Sequence, residues 1–455
     1  MRCRWQRRRR RLRFLRRHRL GGRRPTGNPV TTAADILDRC DELARHSSLP
    51  NGLIERVYLS PEHAAANALA AEWMTAAGLA TWQDAAGNQC GRLEGARPGL
   101  PALLLGSHLD TVPAAGRYDG ILGVLLAIAV AERVAGSGRA LPFALEVAAF
   151  GDEEGTRFGT TLLGSRALAG TWQGDWWQLC DQNGVSLDAA YRAFGLDPDV
   201  IGEAARTPAD LIGYLEAHIE QGPVLDDSGR ALGVVSSIAG ARRFSIVIEG
   251  AAGHSGTPWA LRRDALAGAS EVILAIERIA RGANLIGTVG HLALTPDAVN
   301  VIPGRVEFSL DLRGEFDPER DRAWALIEQT AEQICERRAL RVTSVQTHGA
   351  PAAHCSPHLR AAVATGIRRV VADDSPPPTL FSMAGHDAMA IAALTDIGML
   401  FVRCRGGVSH HPDESVTEAD VALALDAFEA AVLHLADQYD ADELDSEFDA
   451  RAATK

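Results

Sequence analysis

Several things are missing from these 455 residues, and each absence removes a class of protein. No apolar run approaches the ~20 residues that cross a bilayer; the longest, ILGVLLAIAVA from Ile121, has the length of a buried helix. No CxxC pair occurs: the seven cysteines (3, 40, 90, 180, 335, 355, 404) are odd in number and unpatterned. That argues against a disulfide framework and for a reducing, cytoplasmic setting. No internal repeat is present, so a solenoid is excluded. Acidic residues are absent from 1–24, which hold 13 arginines, and this leaves 33 basic against 58 acidic residues for the rest.

A basic leader of this kind can meet phosphates or anionic lipid. The stretch RRHRLGGRRPTG, however, lacks the apolar segment of a twin-arginine export signal. Residues 1–29 therefore read as disordered or as a mis-assigned start, the chain proper beginning near Val30. The acidic body argues against nucleic acid as a partner, and the missing apolar runs argue against a membrane.

What is present is ordinary globular material, 46% apolar and 23% charged. Its length predicts more than one domain. TTAADILDRCDELARHS reads as a helix capped by Thr32. ALLLGSH (102–108) and FALEVAAF (143–150) are short apolar runs ending in turn residues, as buried parallel strands do, with ILGVLLAIAVAERV as the crossover helix. TLFSMAGHDAMAIAAL and MLFVRCRGG read as strand–helix and strand. These predict an α/β domain with a mixed, mostly parallel sheet and helices on both faces.

The middle of the chain differs. RRFSIVIEG, a helix over 261–279, NLIGTVGHLAL, RVEFSLDLRG, a helix over 318–338 and RVTSVQTH follow the order βαββαβ. Period-two alternation in FSIVIEG and RVEFSLDLR leaves one sheet face open. This predicts an inserted ferredoxin-like unit, a lid or dimerisation domain. The expected organisation is a catalytic domain in two parts, 30–235 and 351–438, a lid at 236–350 and an acidic tail at 439–455.

Five segments carry residues that bind divalent metals, each at a strand end. In GSHLDT, His108 and Asp110 are two apart and share a face of an extended strand. Asp119 opens the crossover helix, where an aspartate is ordinarily just an N-cap. Glu153 and Glu154 end a buried strand; adjacent acids there are usually only solvated, but one can bind metal while the other moves protons. Alternation in YLEAHIEQG puts Glu216, His218 and Glu220 on one face. CRGGVSHHPDE presents His410 and His411 from a glycine-rich loop. Singly each has an unremarkable explanation. Together they place histidines and carboxylates at the carboxyl ends of strands, where open α/β sheets collect ligands.

The motifs GSHLDTV, GRYDGILGV, GDEEGTRF, HIEQGPVL, AVNVIPG, DLR, AGHDAM and GGVSHHP resemble those of the dinuclear-metal aminoacylase and carboxypeptidase family. HIEQG and AGHDA point to its carbamoyl-amidohydrolase branch of allantoate amidohydrolases and N-carbamoyl-L-amino acid hydrolases. The resemblance spans about Ala33 to Leu435. It implies two zinc or manganese ions, with Asp119 bridging, His108 and His218 on one, Glu154 and His410 on the other. It implies Glu153 as general base, Asp110 orienting His108, and His254 stabilising the oxyanion, reaching across a homodimer interface. Gln221, Asn300, Arg313 and His386 would hold a small ureido-carboxylate substrate, Arg313 by its bidentate fork. The sequence departs from the family pattern in a shortened GHSGTPW loop carrying Trp259, in Met383 for glycine, and in His411 for asparagine.

Overall fold

The computed structural model describes residues 31–372 and 375–439. Leader 1–29, Cys3 and nearly all of the tail lie outside the described residues.

Thr32 caps the helix Ala33–Leu43 through a capping box closed by Asp35. The main sheet has nine strands and is mixed. Its four central strands run parallel, in the order Ala144–Phe150, Ala102–His108, Leu211–Ile219, Ile397–Val402. Its margins are largely antiparallel: Gln89–Leu93 pairs with Ala144–Phe150 on one side, and Leu232–Ile238 with Ile397–Val402 on the other. Every residue of the four central strands is buried, which is why their sequences are mostly apolar, with Glu216 and His218 alternating into Leu211–Ile219.

Both faces are covered. Leu103, Leu105, Leu145 and Val147 pack with the helices Ile121–Ser137, Pro357–Val370 and Glu418–Gln438. Leu104, Phe150, Tyr214 and Phe401 pack on the opposite face with the short helix Ala388–Ile391. The helix Ile121–Ser137 is buried continuously from Ile121 to Ala131. It is sandwiched in the protein, and no described helix is long and apolar enough to cross a membrane.

A second, five-stranded sheet is built between Gly240 and Ala350. Strand Arg305–Gly314 pairs with Gly240–Glu249, which pairs with Arg341–Ala350. Val306, Phe308, Leu310 and Leu312 turn toward the helices Ala265–Gly282 and Asp317–Arg337, leaving the other face without a helix. Two expectations shift. The first helix starts at Ala265 rather than 261, because Asp264 accepts the backbone N–H groups of Leu266 and Ala267. NLIGTVGHLAL forms two strands, Ile286–Thr288 and Leu292–Thr295, both pairing with Arg305–Gly314. Between them the Ser309 hydroxyl takes the His291 N–H at 3.0 Å, replacing a backbone partner and interrupting the ladder.

Candidate metal centre

Parallel packing of the four central strands puts their carboxyl ends along one edge, and the metal-binding residue types gather there. His108 is the last residue of its strand; Glu153 and Glu154 follow Phe150; His218 precedes the end of the third strand; His410 lies in the loop after Val402. Asp119 stands before the crossover helix but does not cap it: Gly120 is the N-cap and makes no side-chain bond. The Asp119 carboxylate turns instead into the cluster. Gly120 has φ +71°, and a Cβ there would meet His108 Nε2 at 2.4 Å. Only glycine lets the chain pass so close to the imidazole.

Two ligand groups share Asp119: His108, Asp119 and His218, and Asp119, Glu154 and His410. His218 Nε2 is 3.1 Å and His108 Nε2 3.8 Å from Asp119 Oδ1. His410 Nε2 is 3.1 Å from Asp119 Oδ2 and 3.3 Å from Glu154 Oε1. Backbone carbonyls set the ring orientations: His108 Nδ1 lies 3.0 Å from the Asp110 carbonyl and His218 Nδ1 2.9 Å from that of Ile219. A carbonyl only accepts, so both rings carry a proton on Nδ1 and present Nε2 to the carboxylate. Nε2 and the carboxylate oxygen then need positive charge between them, supplied by a second ring proton or by a cation.

The electrostatics agree. Burial opposes charge on His218, yet Asp119 holds its pKa up to about 9. Asp119 and then Glu154 hold His410 up to about 10. Burial pushes Asp119 up, but its bonds to His218 and His410 outweigh this and keep it well below the usual carboxylate range. The cluster is thus an anionic cradle that demands compensating positive charge, and its donor set fits divalent zinc or manganese.

Other residues hold this arrangement in place, several with no motif to announce them. Asp110 approaches His108 through its carbonyl; its carboxylate stands 3.7 Å from His108 Nδ1. That carboxylate instead accepts the backbone N–H groups of Glu153 (3.1 Å) and Glu154 (3.2 Å), clamping the turn that presents both acids. Ser409 Oγ donates to Asp119 Oδ2 at 2.7 Å, and Glu414 accepts the N–H groups of Tyr118 and Asp119. Neither Ser409 nor Glu414 stands out in the sequence except by nearness to the HHP segment. Asp152, Gln221 and His410 all have φ between 55° and 64°, so left-handed strain gathers at the site.

Glu153 is buried; burial first, then Glu154, raise its carboxyl well above the usual range. Gln221 Nε2 donates to Asp119 Oδ2 at 2.8 Å, so its amide lies inside the cluster. His386 stacks edge-on against His218 with ring centres 4.4 Å apart, and its Nε2 is 2.7 Å from Ser382 Oγ. Glu216, His218 and His386 also lie together, but both Glu216 oxygens are taken, by Ser107 Oγ and the Ala388 N–H. Glu220 departs from its expected face-sharing: its carboxylate caps the turn at Val224 and Leu225.

The residues of the second sheet form another group. His254 and Val301 are partners in a two-stranded ribbon, and the Asn300 carbonyl accepts from Ser255, so His254 and Asn300 are neighbours. Both are exposed, and among the described residues the His254 ring is hydrogen-bonded to Gly256 rather than to the Asp119 cluster. Arg313 bridges the two sheets by donating from Nη1 to the Met383 carbonyl at 2.7 Å.

A model of peptidase family M20/M25/M40 matches residues 104–434. The chain belongs to this family. The M20/M25/M40 family is metal-dependent, and the two groups around Asp119 are this member's candidate ligands. The resemblance to its carbamoyl-amidohydrolase branch holds as well. A probable allantoate deiminase of Oryza sativa is 40% identical over 421 residues, covering 85% of either chain. An N-carbamoyl-L-amino acid amidohydrolase of Geobacillus stearothermophilus is 40% identical over 403 residues, covering 88% of this chain and 98% of its own. A hydantoinase/carbamoylase family amidase from Burkholderia multivorans superposes with a TM-score of 0.81 at 29% identity, over 88% of this chain and 97% of that one.

Proposed function

We propose that this protein hydrolyses the ureido C–N bond of a small carboxylate, with allantoate as preferred substrate. The observation that carries the reading is Asp119 shared between two histidine–carboxylate groups, with buried Glu153 beside them. Two divalent cations, zinc or manganese, would be held by His108, Asp119 and His218 and by Asp119, Glu154 and His410. When bound they supply Lewis acidity and a more acidic water. Glu153 takes the proton of the water that attacks the carbamoyl carbon, then returns it to the leaving nitrogen. His254 accepts Gly256 N–H at Nδ1, 3.0 Å away, so its neutral ring carries the proton on Nε2 and can donate to the developing oxyanion. Gln221, Asn300, Arg313 and His386 are the candidate substrate contacts. For allantoate, one water would release ammonia and carbon dioxide and leave ureidoglycine.

The second reading is an N-carbamoyl-L-amino acid hydrolase, and two side chains favour it. Met383 is 46% and Trp259 83% exposed, apolar surface that would suit an aliphatic substrate side chain better than a second ureido group. Ammonia release by the metal-reconstituted protein decides between them, comparing kcat/KM for allantoate, N-carbamoyl-methionine and N-carbamoyl-β-alanine. A carbamoyl amino acid ahead by about tenfold or more selects the second reading.

The proposed working form is a cytoplasmic homodimer joined through the inserted unit. Strand Arg341–Ala350 pairs on one side only among the described residues, and Val345 on it is 64% exposed. Leu274 and Leu326, on the two helices of that unit, are 63% and 50% exposed. An unpaired edge and exposed leucines support a two-fold contact there.

A further inference from the structure

The open face of the second sheet carries a row of polar side chains in register across its strands. His348 pairs with Arg243, and Arg243 with Asp311, which pairs with Thr288. Arg313 is two residues along from Asp311 on the same face. The Asp311 carboxylate is shared: its Oδ2 accepts from Arg243 Nε at 3.2 Å and Arg313 Nη2 at 3.0 Å, and its Oδ1 from Arg313 Nε at 3.2 Å. These three are the only charged residues lining a cavity of about 610 Å³, which Met383 closes from the main sheet. One negative charge against two positive leaves the cavity one positive charge in surplus.

The two guanidiniums are not equally committed. Arg313 donates from Nε and Nη2 to Asp311 and from Nη1 to Met383. Among the described residues, Arg243 hydrogen-bonds through Nε alone and is exposed, so both its Nη groups remain for a ligand. A bulge between Gln346 and His348 adds Thr347 to the cavity wall. Burial, then Arg243 and Arg166, lower the His348 pKa, so the ring neighbouring Arg243 stays neutral at pH 7 and is no rival charge.

We propose that Arg243 and Arg313 together form the cradle for the substrate's single carboxylate, with Asp311 as the positioning residue that holds the guanidiniums side by side. This rests on the ureido-carboxylate reading above. Two charged donors aimed at one cavity give a monocarboxylate more directional contacts than Arg313 alone can supply. The alternative is a cross-strand ion-pair network that only steadies the sheet.

The test compares metal-loaded wild type with Arg243→Gln, Arg243→Lys and Asp311→Asn, using allantoate and its uncharged carboxamide. Losing charged hydrogen bonds should raise KM for allantoate by about tenfold or more in Arg243→Gln while kcat changes less than about threefold. The carboxamide should show little of that penalty, Lys should restore part of it, and Asp311→Asn should show the same carboxylate-selective rise. An Arg243→Gln KM within about twofold of wild type, or equal penalties for acid and amide, overturns the cradle. Calorimetric binding of allantoate to the Glu153→Gln protein, with and without Arg243→Gln, reads the cradle apart from turnover. Binding lost with Arg243 while the metal-loaded wild type fails to hydrolyse allantoate keeps the cradle and rejects the activity; binding indifferent to Arg243 rejects the cradle.

Discussion

At the scale of single residues, the site depends on which atom each side chain presents. Glu153 and Glu154 are adjacent, yet Glu154 faces His410 at 3.3 Å while Glu153 comes no nearer to His108 Nε2 than 4.0 Å. Glu153→Gln should therefore keep metal content and melting temperature while turnover falls by about a thousandfold, within the range of a lost general base. Loss of a metal equivalent in that variant would mean that the two roles are exchanged. Gly120→Ala should do the reverse. The new Cβ would enter the space of His108 Nε2 from a backbone at φ +71°. Metal stoichiometry should drop and thermal stability with it, whereas wild-type metal content would show that the turn can move aside. The adjacent-acid pattern was visible in the sequence. The Gly120 approach was not, because it depends on His108 arriving from another strand.

Among the elements, the turn after Phe150 is the most exposed to a single change. Asp110 clamps it through two backbone N–H groups, and Asp110→Asn would replace one acceptor oxygen with a donor facing an N–H. Metal affinity should weaken by about ten- to a hundredfold, as for other residues that support ligands. Affinity unchanged in competition with a chelator would show that the turn is held elsewhere. Element existence was well marked in the sequence: the buried strands by apolar runs, the lid strands by alternation, the first helix by Thr32. Boundaries were less so. Asp264 decides where the first lid helix starts, and Ser309 decides where an edge strand breaks; both act by side-chain hydrogen bonds that periodicity does not register.

For the whole molecule, the inserted unit tests how assembly and activity are joined. Its entry and exit strands are neighbours, with Ala241 opposite Ala350, so a short linker can replace residues 241–348. The proposed dimer should become a monomer in sedimentation, and turnover should vanish because His254, Asn300, Arg243 and Arg313 leave together. A dimer that persists would place the contact on the main sheet's domain. Chelation of the intact protein should lower its melting temperature and zinc or manganese should restore it, since a ligand bound only by the native state stabilises it by mass action. A melting temperature indifferent to chelator would argue that protonated His218 and His410 alone compensate Asp119.

The sequence by itself determined the strand and helix types, the open-faced lid pattern and the residues able to bind metal, since these follow from side-chain period and chemistry. It also carried the family, through motifs such as GDEEG and HIEQG. Tertiary structure decided which atoms meet. Asp119 taken alone read as a helix cap until His218, on a central strand, and His410, in a loop, came within 3.1 Å of it. Gln221 turned inward to Asp119, Asp110 bound a turn some forty residues away, and Arg243 joined Arg313 only because their strands are neighbours in register. Local pattern records which face a residue occupies; its partner is set by strand order, which arises from packing the whole sheet.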